Sequence, residues 1–174
     1  MSAIPPWFER KFRFDFPVEF YPNLCVRLRG TAPRLEDLAR GLTPEQLTRR
    51  LDAKWSIQEN AGHLLDLEPL GVIRLEEYLR GAETLSPADL SNRKTHEARH
   101  NERSWDEIFS AFRQARAEFC DRLDALTAAD FARLSRHPRL QAPMRLVDFL
   151  CFLCEHDDHH LARIWEIRRT FTMR

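Results

Sequence analysis

Residues 155–164 read EHDDHHLARI, and what they can do depends on which way three imidazoles face. His156 and His160 stand one helical turn apart, the spacing that lets two side chains share one metal ion. A helix advances about 100° per residue, which places both in the same arc as Leu146, Phe149, Leu153, Ile164 and Ile167, the stripe a packed core needs. His159 falls roughly 80–100° to the side, and Asp158 on the far side. Two inward imidazoles are equally well explained as core residues bonded to a carbonyl or a carboxylate. A third ligand from another helix would favour a metal, and His63, in NAGHLLDLE, is the candidate. It is flanked by Leu64, Leu65 and Leu67, with Asp66 about one turn later. Each converging imidazole carries ring nitrogens that cost free energy unless partnered, and one divalent cation would satisfy all three. Asp66 is a candidate to orient His63, and Asp157 or His159 to do the same near the pair. Capping or solvating a helix is an equal alternative for each carboxylate.

Other chemistry-bearing residues are weaker candidates. CFLC (151–154) has the spacing of half a zinc site, but Cys151 and Cys154 project away from His156 and His160 and no second CxxC exists. They are read as small packing residues. HDDHH resembles the protease pattern HExxH with Asp for Glu, one methylene too short for the base, and no downstream Glu or His motif accompanies it. His96, His100 and His137 fall in expected loops and are read as exposed, with His96 or His100 at the mouth of a site.

These residues require helices to carry them. Five glycines in 174 residues leave few tight turns and no phosphate-cradling loop, and a chain rich in Leu, Ala, Arg and Glu favours helix. The opening IPPWFERKFRFDFPVEFYPN reads as an aromatic arm packed across the body, because Trp7, Phe8, Phe12, Phe14, Phe16 and Phe20 must be buried somewhere. A first helix is expected over 20–40, kinked or restarted near Gly30–Pro33. A short one follows, capped by Thr43 with Pro44 at its first position. The second long helix starts after Ser56, whose partner Glu59 completes a capping box, and Pro69 should bend it. Residues 81–103 form a long connection, a feature more often functional than idle. Ser104 and Glu107 suggest a second capping box before Trp105, Ile108, Phe109, Phe112, Phe119 and Leu123 at helical spacing. LTAADF (126–131) echoes LTPEQL (42–47), hinting at a pseudo-repeat. A loop with Pro138 and Pro143 then leads to a last helix over 145–170. Four long helices around one core, in one domain spanning 1–174, is the all-α reading.

Composition bounds the partners. Lys plus Arg equal Asp plus Glu at 27 each, so nothing in the charge favours nucleic acid or an anionic membrane. No stretch approaches about 20 apolar residues, the start lacks a signal peptide, and four irregularly spaced cysteines suit a reducing cytoplasm.

Taken in order, KWSIQENAGHLLDLE and EHDDHHLARI resemble the paired motifs of the DinB/YfiT-like superfamily of metal-dependent proteins. Its pattern is Trp-[Ser/Thr] followed by His on the second helix and HxxHH or HxxxH on the last. Trp55-Ser56 with His63 matches the first; His156, His159 and His160 match the second. The resemblance implies an up-down-down-up four-helix bundle, often a homodimer, holding one divalent ion (zinc, nickel, iron or manganese) through His63, His156 and His160. Relatives include bacillithiol and mycothiol S-transferases and a mycothiol-dependent isomerase. The expected function is therefore a metal-dependent transferase moving a small electrophile onto a low-molecular-weight thiol. The alternatives are a hydrolase using water at the same site, or a non-enzymatic ligand-binding or dimerising bundle. The family's Gly after the last histidine pair is here Ala162, a change expected to narrow access to the metal or alter the last turn.

Overall fold

A computed structural model describes residues 4–52 and 54–172. Its helices are α1 (Tyr21–Arg29), α2 (Thr31–Ala39), α3 (Pro44–Thr48), α4 (Ile57–Leu79), α5 (Arg93–Glu97), α6 (Trp105–Asp124), α7 (Ala128–Phe131) and α8 (Leu146–Thr172). The expected first helix is two, α1 and α2, meeting at Gly30. Pro33, lacking an N–H, sits in the first turn of α2, where no intrahelical donor is needed. Helix α4 continues through Pro69, and α8 through Ala162. Among the described residues no helix is long and apolar enough to cross a membrane.

The all-α expectation needs one correction. The segment read as a loop around Pro138 and Pro143 is an antiparallel hairpin of β1 (Leu134–His137) and β2 (Ala142–Arg145), with Leu134 opposite Arg145 and Arg136 opposite Pro143. Proline is tolerated there because the backbone of Arg136 bonds on its other side: its N–H donates to the Glu83 carbonyl and its carbonyl accepts from the Leu85 N–H. The hairpin thus anchors the start of the long connection to the bundle.

Local chemistry starts the helices. Ser56 Oγ accepts from the Glu59 N–H at 3.1 Å while Glu59 Oε2 accepts from the Ser56 N–H at 2.9 Å, the expected capping box. Ser104 likewise caps α6, but the Glu107 carboxylate turns to Arg103 at 2.7 Å rather than back to the cap. The second expected box is therefore only half formed. Ser56 Oγ also donates to Asn101 Oδ1 at 2.7 Å, tying the long connection to the start of α4. Ser56→Ala is expected to cost about 1–2 kcal/mol, read as a lower urea midpoint.

Cross-helix contacts give the relative directions of the long helices. Arg116 of α6 pairs with Glu68 of α4, and Arg122 with Glu76, so α4 and α6 run parallel. His63 of α4 lies beside His160 of α8, and Arg74 beside Phe149, so those two run antiparallel. A parallel neighbour cannot be reached by a tight turn, and this is why the chain needs the 81–103 crossover. Two apolar cores result. One gathers Leu75, Tyr78, Phe119, Phe131 and Phe149; the other gathers Leu35, Ile57, Leu64, Phe112 and Ile164. The N-terminal arm packs on α8, with Trp7 and Phe12 each 5.1 Å from Phe152, ring centre to ring centre. Arg10 binds Glu155 at 2.5 Å.

Between the two cores lies a charged group. Arg116 is 5% exposed, pairs with both Glu68 and Asp157, and Asp157 also accepts from Thr31 Oγ1 at 2.8 Å. Asp157, a sequence candidate for orienting the histidine pair, is therefore committed elsewhere. One residue beyond His156 its side chain has turned about 100°, towards α2 and α6.

Candidate metal centre

Helix α4 delivers His63, and α8 delivers His156 and His160, to one point. A ligand nitrogen from each lies within 4.8 Å of the others. His63 and His160 are buried and His156 is half-buried. The ring centres of His63 lie 5.3 Å from His156 and 4.7 Å from His160.

Hydrogen bonds decide which nitrogen of each ring is free. Asn60 donates its amide hydrogens to the carbonyls of Ser56 at 2.7 Å and Trp55 at 3.3 Å. Its Oδ1 is left to accept from His160 Nδ1–H at 2.8 Å. Thr95 donates its hydroxyl to Asp66 Oδ2 at 2.9 Å, so its oxygen accepts from His63 Nδ1–H at 3.0 Å. Both rings are thereby held with a bare Nε2 lone pair, the form that binds a metal. His160 Nε2 faces His156 Nε2 at 3.2 Å, close to the ~3.4 Å separating two nitrogens that share a tetrahedral ion at about 2.1 Å. Two lone pairs cannot face each other at that distance, so a proton or a cation must bridge them. The donor set and its spacing fit a divalent transition metal.

Burial keeps these rings neutral. Desolvation, helped by the neighbouring imidazoles, pushes His156 and His160 well below the ordinary histidine value. Desolvation likewise lowers His63, His137 and His159 to about 4 each. Between pH 4 and 6.5 the unfolded chain therefore binds protons that the folded one does not. The stability these rings contribute is complete above pH 6.5 and is lost as pH falls towards 4. Urea midpoints measured across that interval should decline with acid.

The crossover supplies what sequence reading missed. Asp66 acts on His63 through Thr95, not directly. His100, expected exposed in a loop, is 1% exposed and donates Nε2–H to Asp66 Oδ2 at 2.8 Å. Gly62 makes this possible, because a methyl group built on it would overlap the His100 ring. Gly62→Ala should displace His100, freeing Asp66 and Thr95, and weaken metal affinity by about tenfold or more. Competition with a chromogenic chelator would measure it. His96 is exposed, as expected, and lies against Trp55, whose ring also covers His63 at 4.7 Å. His137, expected exposed, is buried on β1. His159 meets His160 edge-on at 5.3 Å, and among the described residues its buried Nδ1 has no partner. Cys154 is buried and donates weakly to the Leu24 carbonyl, and Cys151 packs beside it in the same core, in keeping with packing roles.

Beside the imidazoles opens a cavity of about 1010 Å³ walled by Leu64, Leu67, Phe119, Phe149 and Phe152. The sequence matches a family model: residues 27–164 match the DinB superfamily. The chain belongs to that superfamily. Among solved structures it is similar to YfiT from Bacillus subtilis, described as a probable metal-dependent hydrolase with an unusual four-helix bundle topology. The two share 22% identity over 94% of each chain, with a TM-score of 0.80, a likeness that shows the common fold. No protein of curated function matches this DinB-superfamily chain. Trp55 and Ser56, noted for their pattern, now have physical roles: Ser56 caps α4, Trp55 roofs the histidines, and both present carbonyls to Asn60.

Proposed function

We propose that this protein is a metal-dependent hydrolase, built on an up-down-down-up bundle, in which His63, His156 and His160 hold one divalent ion of zinc, nickel, iron or manganese. The observation that carries this reading is the convergence of three neutral imidazoles, two with their tautomers fixed, at the wall of a large cavity. An ion bound by three neutral ligands keeps its full charge and an open position, and so lowers the pKa of a water or thiol beside it. The protein's own residues do the rest. Thr95 and Asp66 hold His63 in register, Asn60 holds His160, and Trp55 with the Trp7 arm keeps bulk water from the rings. The description of YfiT as a probable hydrolase supports the same reading.

Transfer of a small electrophile onto a low-molecular-weight thiol is the second reading, favoured by the cavity's size. About 1010 Å³ is at the top of the range for one small-molecule site and leaves room for a thiol beside its partner. A cytoplasmic setting and a homodimer belong to the same proposal. The test is metal-loaded protein assayed on a panel of aryl esters without thiol, and on aryl halides with cysteine or glutathione. Ester hydrolysis that disappears in His63→Ala supports the hydrolase. Turnover only with thiol selects the transferase, and no turnover in either arm favours a ligand-binding bundle.

A further inference from the structure

At the Arg74 end of the cavity, two hydrogen-bond donors face each other with no acceptor between them among the described residues. His137 Nδ1 accepts the Leu140 N–H at 3.2 Å. The neutral ring must then carry its proton on Nε2. That Nε2 lies 3.5 Å from Arg74 Nη1, itself only a donor. Arg74 is 4% exposed, donates Nε–H to the Ser86 carbonyl at 2.9 Å, and stacks on Phe149 at 5.7 Å. Among the described residues it makes no ion pair. Glu77, the carboxylate on its helix that acts on it through space, is engaged by Ser86 and Arg80, and Glu76 is paired with Arg122. Arg139 adds a second cation between this end and the histidines, lying over Trp7, Phe8 and Phe152 and donating to the Trp7 carbonyl at 3.4 Å, and among the described residues it makes no ion pair. A buried guanidinium is costly unless an anion meets it. By contrast, Arg116 in the same cavity is matched by Glu68 and Asp157.

We propose that Arg74 and His137, flanked by Arg139, bind the carboxylate of an organic substrate whose reacting bond lies at His63, His156 and His160. One carboxylate oxygen accepts from His137 Nε2–H and the other from Arg74 Nη, which resolves the facing donors and neutralises one charge with one charge. Leu67, Leu70, Gly71, Phe149 and Phe152 line the cavity, and the charged groups beside them, Glu68, Arg116 and Asp157, are paired with one another, so the body of the ligand is mainly apolar. Its length follows from the helices. On α4, Arg74 stands eleven residues beyond His63, a rise of roughly 16 Å, while on α8 the His137 ring packs on Phe152, four residues or roughly 6 Å before His156, so the ligand spans between those two lengths. The anion-binding end stands on its own geometry. Its role as a substrate anchor rests on the hydrolase reading above.

Calorimetry with octanoate and its neutral counterpart octanamide tests this on metal-loaded wild type, Arg74→Gln and His160→Ala. Wild type should bind octanoate at least about tenfold tighter than octanamide. Arg74→Gln should bring that ratio near one with metal content unchanged, whereas His160→Ala should lose the metal and keep the ratio. Equal affinities in wild type, or no binding of either, overturn the proposal. So does a ratio lost in His160→Ala but kept in Arg74→Gln, which would put the carboxylate at the histidines. Should Arg74→Gln not fold, the wild-type ratio and its survival in His160→Ala still decide. A wild type that holds no metal but keeps the ratio would sink the hydrolase reading and leave the anion site standing.

Discussion

Protein carrying His160→Ala is expected to retain less than about a tenth of the divalent metal that wild type holds after reconstitution, measured by elemental analysis. The substitution removes one of three nitrogens and also leaves Asn60 Oδ1 without its donor. His63→Ala should do the same. The informative comparison is with Thr95→Val, which leaves all three imidazoles but deletes the hydroxyl that fixes His63 in its Nδ1–H form. That variant should bind metal about 10–100-fold more weakly rather than lose it. Full loss at each imidazole with a partial loss at Thr95 is the signature of a coordination site. Unchanged metal content in His160→Ala would leave the histidines as core residues.

Arg116→Met should destabilise the fold by about 3–5 kcal/mol at neutral pH, because it strands Glu68 and Asp157 as two buried carboxylates with no cation between them. Both carboxylates are under a tenth exposed, so solvent offers little relief. Burial already pushes the Glu68 carboxyl above its ordinary value, with the Arg116 charge working against the rise. Without Arg116, protonation of Glu68 becomes the way to relieve the buried charge, and the stability gap to wild type should narrow as pH falls. Adding Glu68→Gln and Asp157→Asn should recover much of the loss at pH 7. Urea denaturation of the single and triple variants measures both effects. A single variant within 1 kcal/mol of wild type would refute the argument.

The shared inward face of His156 and His160 was legible in the sequence because a helix of fixed pitch maps spacing onto direction, whereas His63, on another helix, stood out only by its buried setting and its match to the family motif. His156, His160 and the Leu146–Ile167 stripe share one face whatever surrounds them. The Ser56 capping box was legible for a related reason, since both partners lie within one turn. Thr95 and His100 were not, because the crossover has no period and its side chains reach Asp66 only through the tertiary path of the chain. The hairpin was misread because Pro138 and Pro143 signal a loop, and only the pairing of Arg136 with Glu83 and Leu85 shows why Pro143 is tolerated. Asn60 left a fainter trace: a polar, poor helix former within a run of buried positions, which is reason to look for a partner.

The parallel pairing of α4 and α6 makes the crossover unavoidable, and the crossover carries Thr95 and His100 to the histidine cluster. Occupancy of that cluster and order in residues 81–103 are therefore thermodynamically linked. Whatever factor the ordered crossover adds to the affinity of the proposed site for a cation, that cation would return to the crossover as protection against local opening. Amide exchange of Thr95 and its neighbours would thus report a cation bound at the proposed site, which none of those residues touches.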